Sequence, residues 1–191
     1  MLLEQFQQNL KEDFSQLTTN NCRLLLAVSG GIDSVVMTDL FYKSGFDFVI
    51  AHCNFQLRGE ESLRDELFMT SLQGKYNKEV LVQKFDTRQY AADHTISIQE
   101  AARKLRYDWF GEVVNGQWSI ANGKTNNSIH HSPFTIHFAA TAHNANDNIE
   151  TMLMFLFRGT GIHGLTGINL FDKKRKIMLF NYLPNNSIQR F

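Results

Sequence analysis

Hydrophobic residues near the start of the chain recur at spacings of three and four, which is typical of an amphipathic helix packed on a core. The residues that set this period are Leu3, Phe6, Leu10, Phe14 and Leu17. The polar residues 18–21 follow them and are expected to end the helix. The sequence therefore predicts an N-terminal helix within residues 1–20.

The pattern then changes to short, unbroken apolar runs that alternate with longer amphipathic segments. Such runs are typical of strands buried on both faces of a sheet. The predicted strands are 24–28, 46–52, 80–85, 138–142 and 177–183, and the predicted helices are 35–43, one within 60–75, one that opens after Ser97, and 146–157. Because strands that alternate with helices favour parallel pairing, we predict a three-layer α/β fold with a mostly parallel sheet and helices on both faces.

The helix after Ser97 has the clearest local signals. Ser97 and Glu100 have the spacing of a capping box, which satisfies backbone N–H groups at a helix start. The predicted apolar stripe of this helix consists of Ile98, Ala102, Leu105, Trp109 and Val113. Residues 115–133, which come next, are rich in Asn, Gly, Ser and His, and we expect a surface insertion there.

Bulk composition narrows the class of protein. A chain of 191 residues, 43% of them hydrophobic, is long enough for one domain with a full core. Its formal net charge of zero gives no general attraction to a polyanion. Cys22 and Cys53 form no CxxC pair, which argues against structural zinc, an iron–sulfur cluster or a disulfide framework. Since neither a signal peptide nor a membrane-spanning run is indicated, we expect a soluble, cytoplasmic protein.

The segment between the first strand and the next helix carries the strongest candidate chemistry. Its residues are Ser29, Gly30, Gly31, Ile32, Asp33 and Ser34. The N–H groups of a helix start can bind phosphate, glycines let the backbone come close, and serines add hydroxyl donors. Asp33 adds a carboxylate for Mg²⁺ or for a reacting group. The segment is not a Walker A loop, and a tight turn with Ser or Asp as an ordinary N-cap is the alternative.

This segment, together with the preceding Ala27 and Val28, resembles the SGGxDS loop of the ATP pyrophosphatases, also called the PP-loop or N-type family. The resemblance implies an adenine nucleotide alpha hydrolase-like, Rossmann-like fold. It also implies an enzyme that splits ATP between its α- and β-phosphates and transfers AMP. In that case Ala27 and residues 29–34 bind ATP, and Asp33 binds Mg²⁺.

Three further segments resemble those of the tRNA(Ile)-lysidine synthetase family. They are HCNFQLRG at 52–59, AARKLRY at 101–107, and AHNANDNIET at 142–151 with RGTG at 158–161. With residues 29–34, called the phosphate loop below, they extend the resemblance over about residues 24–167. The roles it implies are an adenosine site at His52, Asn54 and Arg58, catalysis by Asp33, Arg103 and Arg106, lysine binding by Asp147 and Glu150, and a binding loop at Arg158, Gly159, Thr160 and Gly161.

Each of these groups also has an ordinary structural explanation. Two arginines one helical step apart can form a solvated basic face. Asp147 and Glu150 can complement the dipole of a first helical turn, and the glycines after Arg158 can form a helix C-cap. His143, at a strand end, is typical of a packing or hydrogen-bonding residue. These alternatives stay open at the level of the sequence.

The family resemblance implies a two-step reaction on the wobble cytidine of a minor isoleucine tRNA, in which ATP adenylates the base and L-lysine then displaces AMP. Two departures bear on this interpretation. The chain stops at Phe191, without the family's further tRNA-binding domains, and residues 180–184 differ from its usual Arg-Pro-Leu-Leu strand. We therefore predict that the chain alone binds ATP but binds tRNA weakly, with 173–176 as its densest basic cluster. The oligomeric state, a homodimer included, stays open.

Two rival functions remain. One is another PP-loop enzyme, such as a tRNA thiolation enzyme or an amide-forming synthetase. The lack of a CxxC pair disfavours the thiolation enzymes that use cluster-binding or persulfide cysteines. The other rival is a non-catalytic nucleotide-binding module, which would bind ATP without releasing pyrophosphate.

Overall fold

Six strands form one sheet in the computed structural model, which describes residues 2–14, 17, 22–116, 136–143, 157, 171–172 and 177–181. The strands are β1 (Arg23–Ala27), β2 (Asp47–Asn54), β3 (Val80–Lys84), β4 (Ile136–His143), β5 (Phe171–Asp172) and β6 (Ile177–Asn181). They lie in the order β3-β2-β1-β4-β6-β5, and within this set only the pairing of β5 with β6 is antiparallel. The mostly parallel sheet predicted from the sequence is confirmed.

The helices of the described segments precede or connect these strands. They are α1 (Leu2–Asp13), α2 (Ile32–Lys43), α3 (Glu60–Tyr76), α4 (Thr87–His94) and α5 (Ile98–Val114). The predicted start of α5 is confirmed, because the Ser97 hydroxyl oxygen accepts a hydrogen bond from the Glu100 N–H group at 3.2 Å.

The strand β1 shows why its sequence is an unbroken apolar run. Successive side chains of a strand point to opposite faces of the sheet. Leu24 and Leu26 pack in one hydrophobic cluster and Leu25 packs in another, and all three are fully buried. A strand with helices on both of its faces has no solvent side, so it carries no alternating polar residues.

The two clusters identify the layers. On one face, α1, α2 and α3 contribute Phe6, Phe41 and Met69, and the rings of Phe6 and Phe41 meet edge to face at 5.0 Å. On the other face, α5 contributes Trp109 and Phe110. Helices therefore cover both faces of the sheet, which confirms the predicted three-layer architecture.

The strand order determines where a ligand is expected. From β1 the chain steps outward to β2 and β3, and then returns to place β4 on the other side of β1. In open α/β sheets, ligands bind beyond the carboxyl ends of the strands at the point where the order reverses. In this chain that point lies between β1 and β4.

Three details of the predicted elements were wrong. The N-terminal helix ends at Asp13, although Phe14 and Leu17 are still buried. The Leu17 N–H group donates to the Phe14 carbonyl at 2.9 Å, so a tighter turn continues the burial that the spacing predicted. The helix α2 begins at Ile32 rather than at residue 35, and neither α4 nor the short strand β5 was predicted.

The buried face of α5 also differs from the predicted stripe. Its buried residues are Ala101, Trp109, Phe110, Val113 and Val114, whereas Ile98 is 40% exposed. Two adjacent aromatic rings, Trp109 and Phe110, turn toward the sheet. Since each buries more apolar area than an isoleucine, they determine the rotation of the helix.

Several predictions fall outside the described residues. These are the helix at 146–157 apart from the helical and exposed residue 157, the glycine loop at 159–167, and the insertion at 115–133 beyond the turn formed by Asn115 and Gly116. In the described part of the chain, no helix combines the length and the apolar character needed to cross a bilayer.

Candidate active site

The predicted phosphate loop lies at the carboxyl edge of the sheet, directly after β1. The N–H group of Val28 continues the ladder by donating to the Ala51 carbonyl of β2 at 2.8 Å. Gly30 then adopts φ +91°, a conformation that residues with a side chain rarely take. Gly31 is the N-cap of α2 with φ −70° and ψ 155°, and no side chain caps this helix start. The backbone therefore presents an uncapped helix N-terminus beside the point where the strand order reverses.

The two serines of the loop hold its shape. The Ser34 hydroxyl is buried and donates to the Gly31 carbonyl at 2.8 Å. Its oxygen lies 3.4 Å from the Ser29 hydroxyl, which in turn accepts the Gly31 N–H group at 3.4 Å. Because the single proton of Ser34 goes to Gly31, the Ser29 hydroxyl is the donor of the pair. Ser34 is thus a structural residue of the loop, while the exposed Ser29 is the serine that solvent or a ligand can reach.

Ile32 and Asp33 occupy the first turn of α2. Ile32 is 77% exposed, and Asp33 is half-buried with a carboxylate near the positive end of the helix dipole. A second carboxylate, that of Asp65, lies next to Gly30, since a Cβ atom placed on Gly30 would be 3.6 Å from its Oδ1. Carboxylate oxygens are ligands that Mg²⁺ accepts, so this edge is chemically suited to a magnesium–triphosphate pair. Within the described residues, no group of three or more His, Cys, Asp or Glu side chains could hold a metal ion by itself.

His52 is buried near the end of β2. Its ring contacts the backbone of Val28, the residue just before the phosphate loop. Its Nδ1 atom lies 2.8 Å from the Val28 carbonyl. A carbonyl can only accept, so Nδ1 carries the proton and donates it to this bond. One ring nitrogen is therefore committed to holding the start of the loop, and only Nε2 is left to serve a ligand.

Asn54 is also buried, and its side chain is committed at both ends. Its Nδ2 group donates to Oε1 of Glu66 at 2.5 Å, and its Oδ1 accepts the Gln56 N–H group at 2.9 Å. Lys84, from β3, lies 3.0 Å from the same Glu66 oxygen. Sequence reasoning missed Asp65, Glu66 and Lys84, because the acidic pair is an unremarkable part of an amphipathic helix until the fold brings it to this edge.

Arg58 follows on the turn after β2. Its side chain is 74% exposed, and its Nη1 atom is 4.0 Å from a Glu61 oxygen, at the outer limit of an ion pair. An exposed pair of this kind contributes little to stability. The guanidinium group can therefore exchange this contact for a phosphate or a base at low cost.

The two arginines of α5 have different surroundings. The Arg106 guanidinium lies over the Phe55 ring at 5.3 Å, beside the carboxyl end of β2. Arg103 is exposed and lies over Tyr107 of its own helix at 5.1 Å. The structure thus brings Arg106, but not Arg103, to the edge that carries His52 and Asn54.

Two further polar groups lie at this edge, the half-buried Cys53 thiol and the buried Thr141 hydroxyl. Burial raises the pKa of the Cys53 thiol to about 12, although the charge of Arg106 acts in the opposite direction. Thr141 pairs with Ala27 across the boundary of β4 and β1, and its buried hydroxyl has no hydrogen-bond partner among the described atoms. Such a hydroxyl costs about 1–3 kcal/mol when it is left unsatisfied.

The remaining predicted site residues lie outside the described part of the chain. They are the lysine-binding pair Asp147 and Glu150 and the loop residues Arg158, Gly159, Thr160 and Gly161. Both segments follow β4 in the sequence.

Sequence comparison finds known proteins that are similar to this chain. The profile of the PP-loop domain family matches residues 2–184. The tRNA(Ile)-lysidine synthase of Bacteroides thetaiotaomicron is 43% identical over 146 residues, which cover 76% of this chain and 30% of that protein. The protein of the same name from Porphyromonas gingivalis W83 is 41% identical over 76% of this chain and 28% of its own length. The one from Chlorobaculum tepidum is 38% identical over 81% of this chain and 43% of its own length. The chain thus spans less than half of each of these relatives.

Proposed function

The chain belongs to the PP-loop domain family, and from this membership we propose that it is the ATP-using part of a tRNA(Ile)-lysidine synthase. The observation that carries the proposal is the uncapped N-terminus of α2, which Gly30 and Gly31 leave accessible at the edge of the sheet. The similarity to enzymes of that name supports the choice of substrate.

The proposed reaction has two steps. The 2-oxygen of a wobble cytidine in isoleucine tRNA attacks the α-phosphorus of ATP, and the bond to the β-phosphate oxygen breaks to release pyrophosphate. The ε-amine of L-lysine then attacks C2 of the adenylated base, AMP leaves with the oxygen, and the amine loses its proton. One carbon–nitrogen bond forms for each ATP used.

The described residues have the following proposed duties. The backbone N–H groups at the start of α2 and the Ser29 hydroxyl bind phosphate oxygens, and they stabilise the charge that develops there. Asp33 would hold Mg²⁺, and the ion would supply charge neutralisation on the triphosphate. Arg106 and Arg58 face the nucleotide or the base with charge-assisted hydrogen bonds.

The residues outside the described segments complete the proposal. Asp147 and Glu150 bind the cationic lysine, and residues 158–161 close over the bound substrates. Arg103, which lies over Tyr107, contacts the tRNA or the α-phosphate once these are present. Since the chain spans less than half of its relatives, we expect weak tRNA binding by this part alone.

The experiment that tests the function measures lysine transfer. The chain is incubated with ATP, Mg²⁺, labelled lysine and a high concentration of isoleucine tRNA, and label is sought on the wobble cytidine after digestion to nucleosides. A tRNA with uridine at that position is the matched control, and the Asp33→Ala variant should release no pyrophosphate. Labelled nucleoside from the cytidine tRNA alone is the expected result. ATP binding without pyrophosphate release would instead favour a non-catalytic module, and wild-type turnover by Asp33→Ala would overturn the role of that residue.

A further inference from the structure

A chain of polar contacts joins α3, β2 and β3 at the edge that carries the phosphate loop. Glu66 of α3 accepts from the Asn54 amide at 2.5 Å and lies 3.0 Å from Nζ of Lys84. Burial acts to raise the pKa of Glu66, but hydrogen bonds from Lys84 and Asn54 outweigh it and lower the pKa overall. Glu66 is therefore an ionised acceptor at neutral pH, and it has no proton to donate.

The charge of Glu66 decides which way the Asn54 amide points. An ionised carboxylate can only accept, so Asn54 must direct its NH₂ group toward Glu66. This leaves the Asn54 carbonyl oxygen for the Gln56 N–H group at 2.9 Å. Gln56 has φ +53°, a left-handed conformation that costs a residue with a side chain about 1–3 kcal/mol. The Asn54 contact stabilises this strained turn.

The turn carries two groups of the proposed site, Phe55 and Arg58. The Phe55 ring stacks on Phe85 at 5.7 Å and supports the Arg106 guanidinium at 5.3 Å. The Phe55 carbonyl accepts from the buried Thr87 hydroxyl at 3.0 Å, which fixes the backbone on its other side. Arg58 comes three residues after Phe55, where the chain leaves the turn. A change in the turn would therefore move the surface that supports Arg106 as well as the base of Arg58.

We propose that Glu66 is a positioning residue, which acts through Asn54 to set the turn that places Phe55, Arg58 and Arg106 around a bound nucleotide. This inference rests on the proposed ATP site. The proposed role depends on the direction of the hydrogen bond, in which Asn54 donates and Glu66 accepts. Substitution can reverse that direction, so the role can be told apart from general stabilisation.

The test exchanges the two partners. Asn54→Asp places a carboxylate against Glu66, so two like charges meet where one hydrogen bond was. Glu66→Gln removes the charge but keeps an acceptor oxygen. The double variant N54D/E66Q again has one donor, one acceptor and one negative charge, but the residue at 66 now donates and the residue at 54 accepts. The new carboxylate at 54 can still accept the Gln56 N–H group. The matched control is Asp39→Asn, because Asp39 also joins lysines of α2 and α3, Lys43 and Lys75, yet does so away from the loop.

The readouts are the ATP dissociation constant of each variant by calorimetry and the hydrogen-exchange protection of the Gln56 amide. We expect N54D to weaken ATP binding about tenfold and the double variant to return to within about threefold of wild type, as coupled contacts require. Asp39→Asn should match wild type in both readouts. Should N54D fail to fold, the comparison of E66Q with the folded double variant still tests the exchange.

The outcomes separate the two proposals. A wild-type chain that binds no ATP contradicts the proposed function, and the Gln56 protection then still reports on the turn. If wild type binds ATP and the N54D, E66Q and double variants bind it equally well, the function stands and the positioning role is wrong. Equal loss of binding in N54D and in the double variant would also overturn it, since a donor–acceptor pair must be rescued by reversal.

Discussion

Gly30 and Gly31 are adjacent in the phosphate loop, yet an alanine should act differently at each position. Gly30 has φ +91°, and Gly31 has φ −70° with ψ 155°. The first conformation is unfavourable for any residue with a Cβ atom, whereas the second is ordinary extended backbone. Gly30→Ala should therefore impair folding, while Gly31→Ala should leave folding intact and impair only ligand binding.

The magnitude for Gly30→Ala follows from its neighbours. The added Cβ would lie 3.6 Å from Oδ1 of Asp65 and 3.7 Å from Cε of Met69, which are ordinary contacts. The cost is therefore the left-handed backbone alone, about 1–2 kcal/mol. In a domain of this size that corresponds to a melting temperature about 2–8 °C lower than that of wild type.

Two opposing effects set the stability of Gly31→Ala. Its Cβ would meet only the Ser29 hydroxyl oxygen, at 3.5 Å. Replacing Gly by Ala at an allowed backbone conformation stabilises by about 0.4–1 kcal/mol through the unfolded state. Alanine is a poorer N-cap than glycine by an amount of the same order, so the two effects nearly cancel. The methyl group would nevertheless stand next to the backbone N–H groups proposed to bind phosphate, and a loss of about 1.4 kcal/mol, or tenfold, in ATP binding is expected.

Thermal unfolding followed by circular dichroism and ATP titration by calorimetry, both on purified chain, measure the two effects separately. We expect Gly30→Ala to melt below wild type, and Gly31→Ala to melt like wild type but bind ATP at least about tenfold more weakly. Equal melting temperatures for the two variants would contradict the assigned backbone conformations. A Gly31→Ala variant with wild-type ATP affinity would show that phosphate does not approach this backbone.

Three further predictions concern residues away from the loop. Burial raises the pKa of Cys22 to about 11 and that of Cys53 to about 12, so less than about 1% of either thiol is ionised at pH 8. Iodoacetamide should label these half-buried thiols more slowly in the folded chain than after unfolding, and equal labelling rates would contradict the raised pKa values. The pKa of Asp39 is lowered, chiefly by a hydrogen bond from Lys43. The ionised Asp39 should therefore stabilise the fold fully above the pKa that it has in the unfolded chain, and this stabilisation should be lost as pH falls through its pKa in the folded chain. The difference in unfolding free energy between wild type and Asp39→Asn should accordingly shrink toward pH 3, which urea titrations across this range would measure. Phe110→Ala, at a fully buried ring, should cost about 3–5 kcal/mol in the same assay, and a loss below about 1 kcal/mol would place the ring outside the core.

Local pattern was enough to predict five of the six strands and the glycine turn between β1 and α2. The leucines of β1 lie on both faces of a covered strand, so their burial appears in the sequence as an unbroken run. The loop is a contiguous segment, and its chemistry depends on the backbone of neighbouring residues. Ser97 likewise caps α5 through a residue only three positions away. Features set within a few residues of one another can be read without the fold.

Features set by distant partners could not be predicted. Glu66 is assigned to the site only because Asn54 and Lys84 meet it, and these residues come from two different strands. The helix α4 was missed although Asp86 caps it, since it is short and mostly exposed and so lacks a clear apolar stripe. The rotation of α5 depended on how Trp109 and its neighbour fit the sheet, which spacing alone does not determine.

The start of the loop and the end of β2 are one structural unit, although they are far apart in the sequence. Both backbone groups of Val28 are bound by β2, its N–H group by the Ala51 carbonyl and its carbonyl by the His52 ring, each at 2.8 Å. The loop therefore leaves the sheet from a point fixed on two sides, and its turn at Gly30, with φ +91°, comes only after that point. Because Nδ1 of His52 is occupied by this contact, a His52 substitution should displace the phosphate-binding backbone before it affects any chemistry at Nε2. The hydrogen bond from His52 to the Val28 carbonyl accounts for a histidine at this position. A role in proton transfer is not needed to explain it.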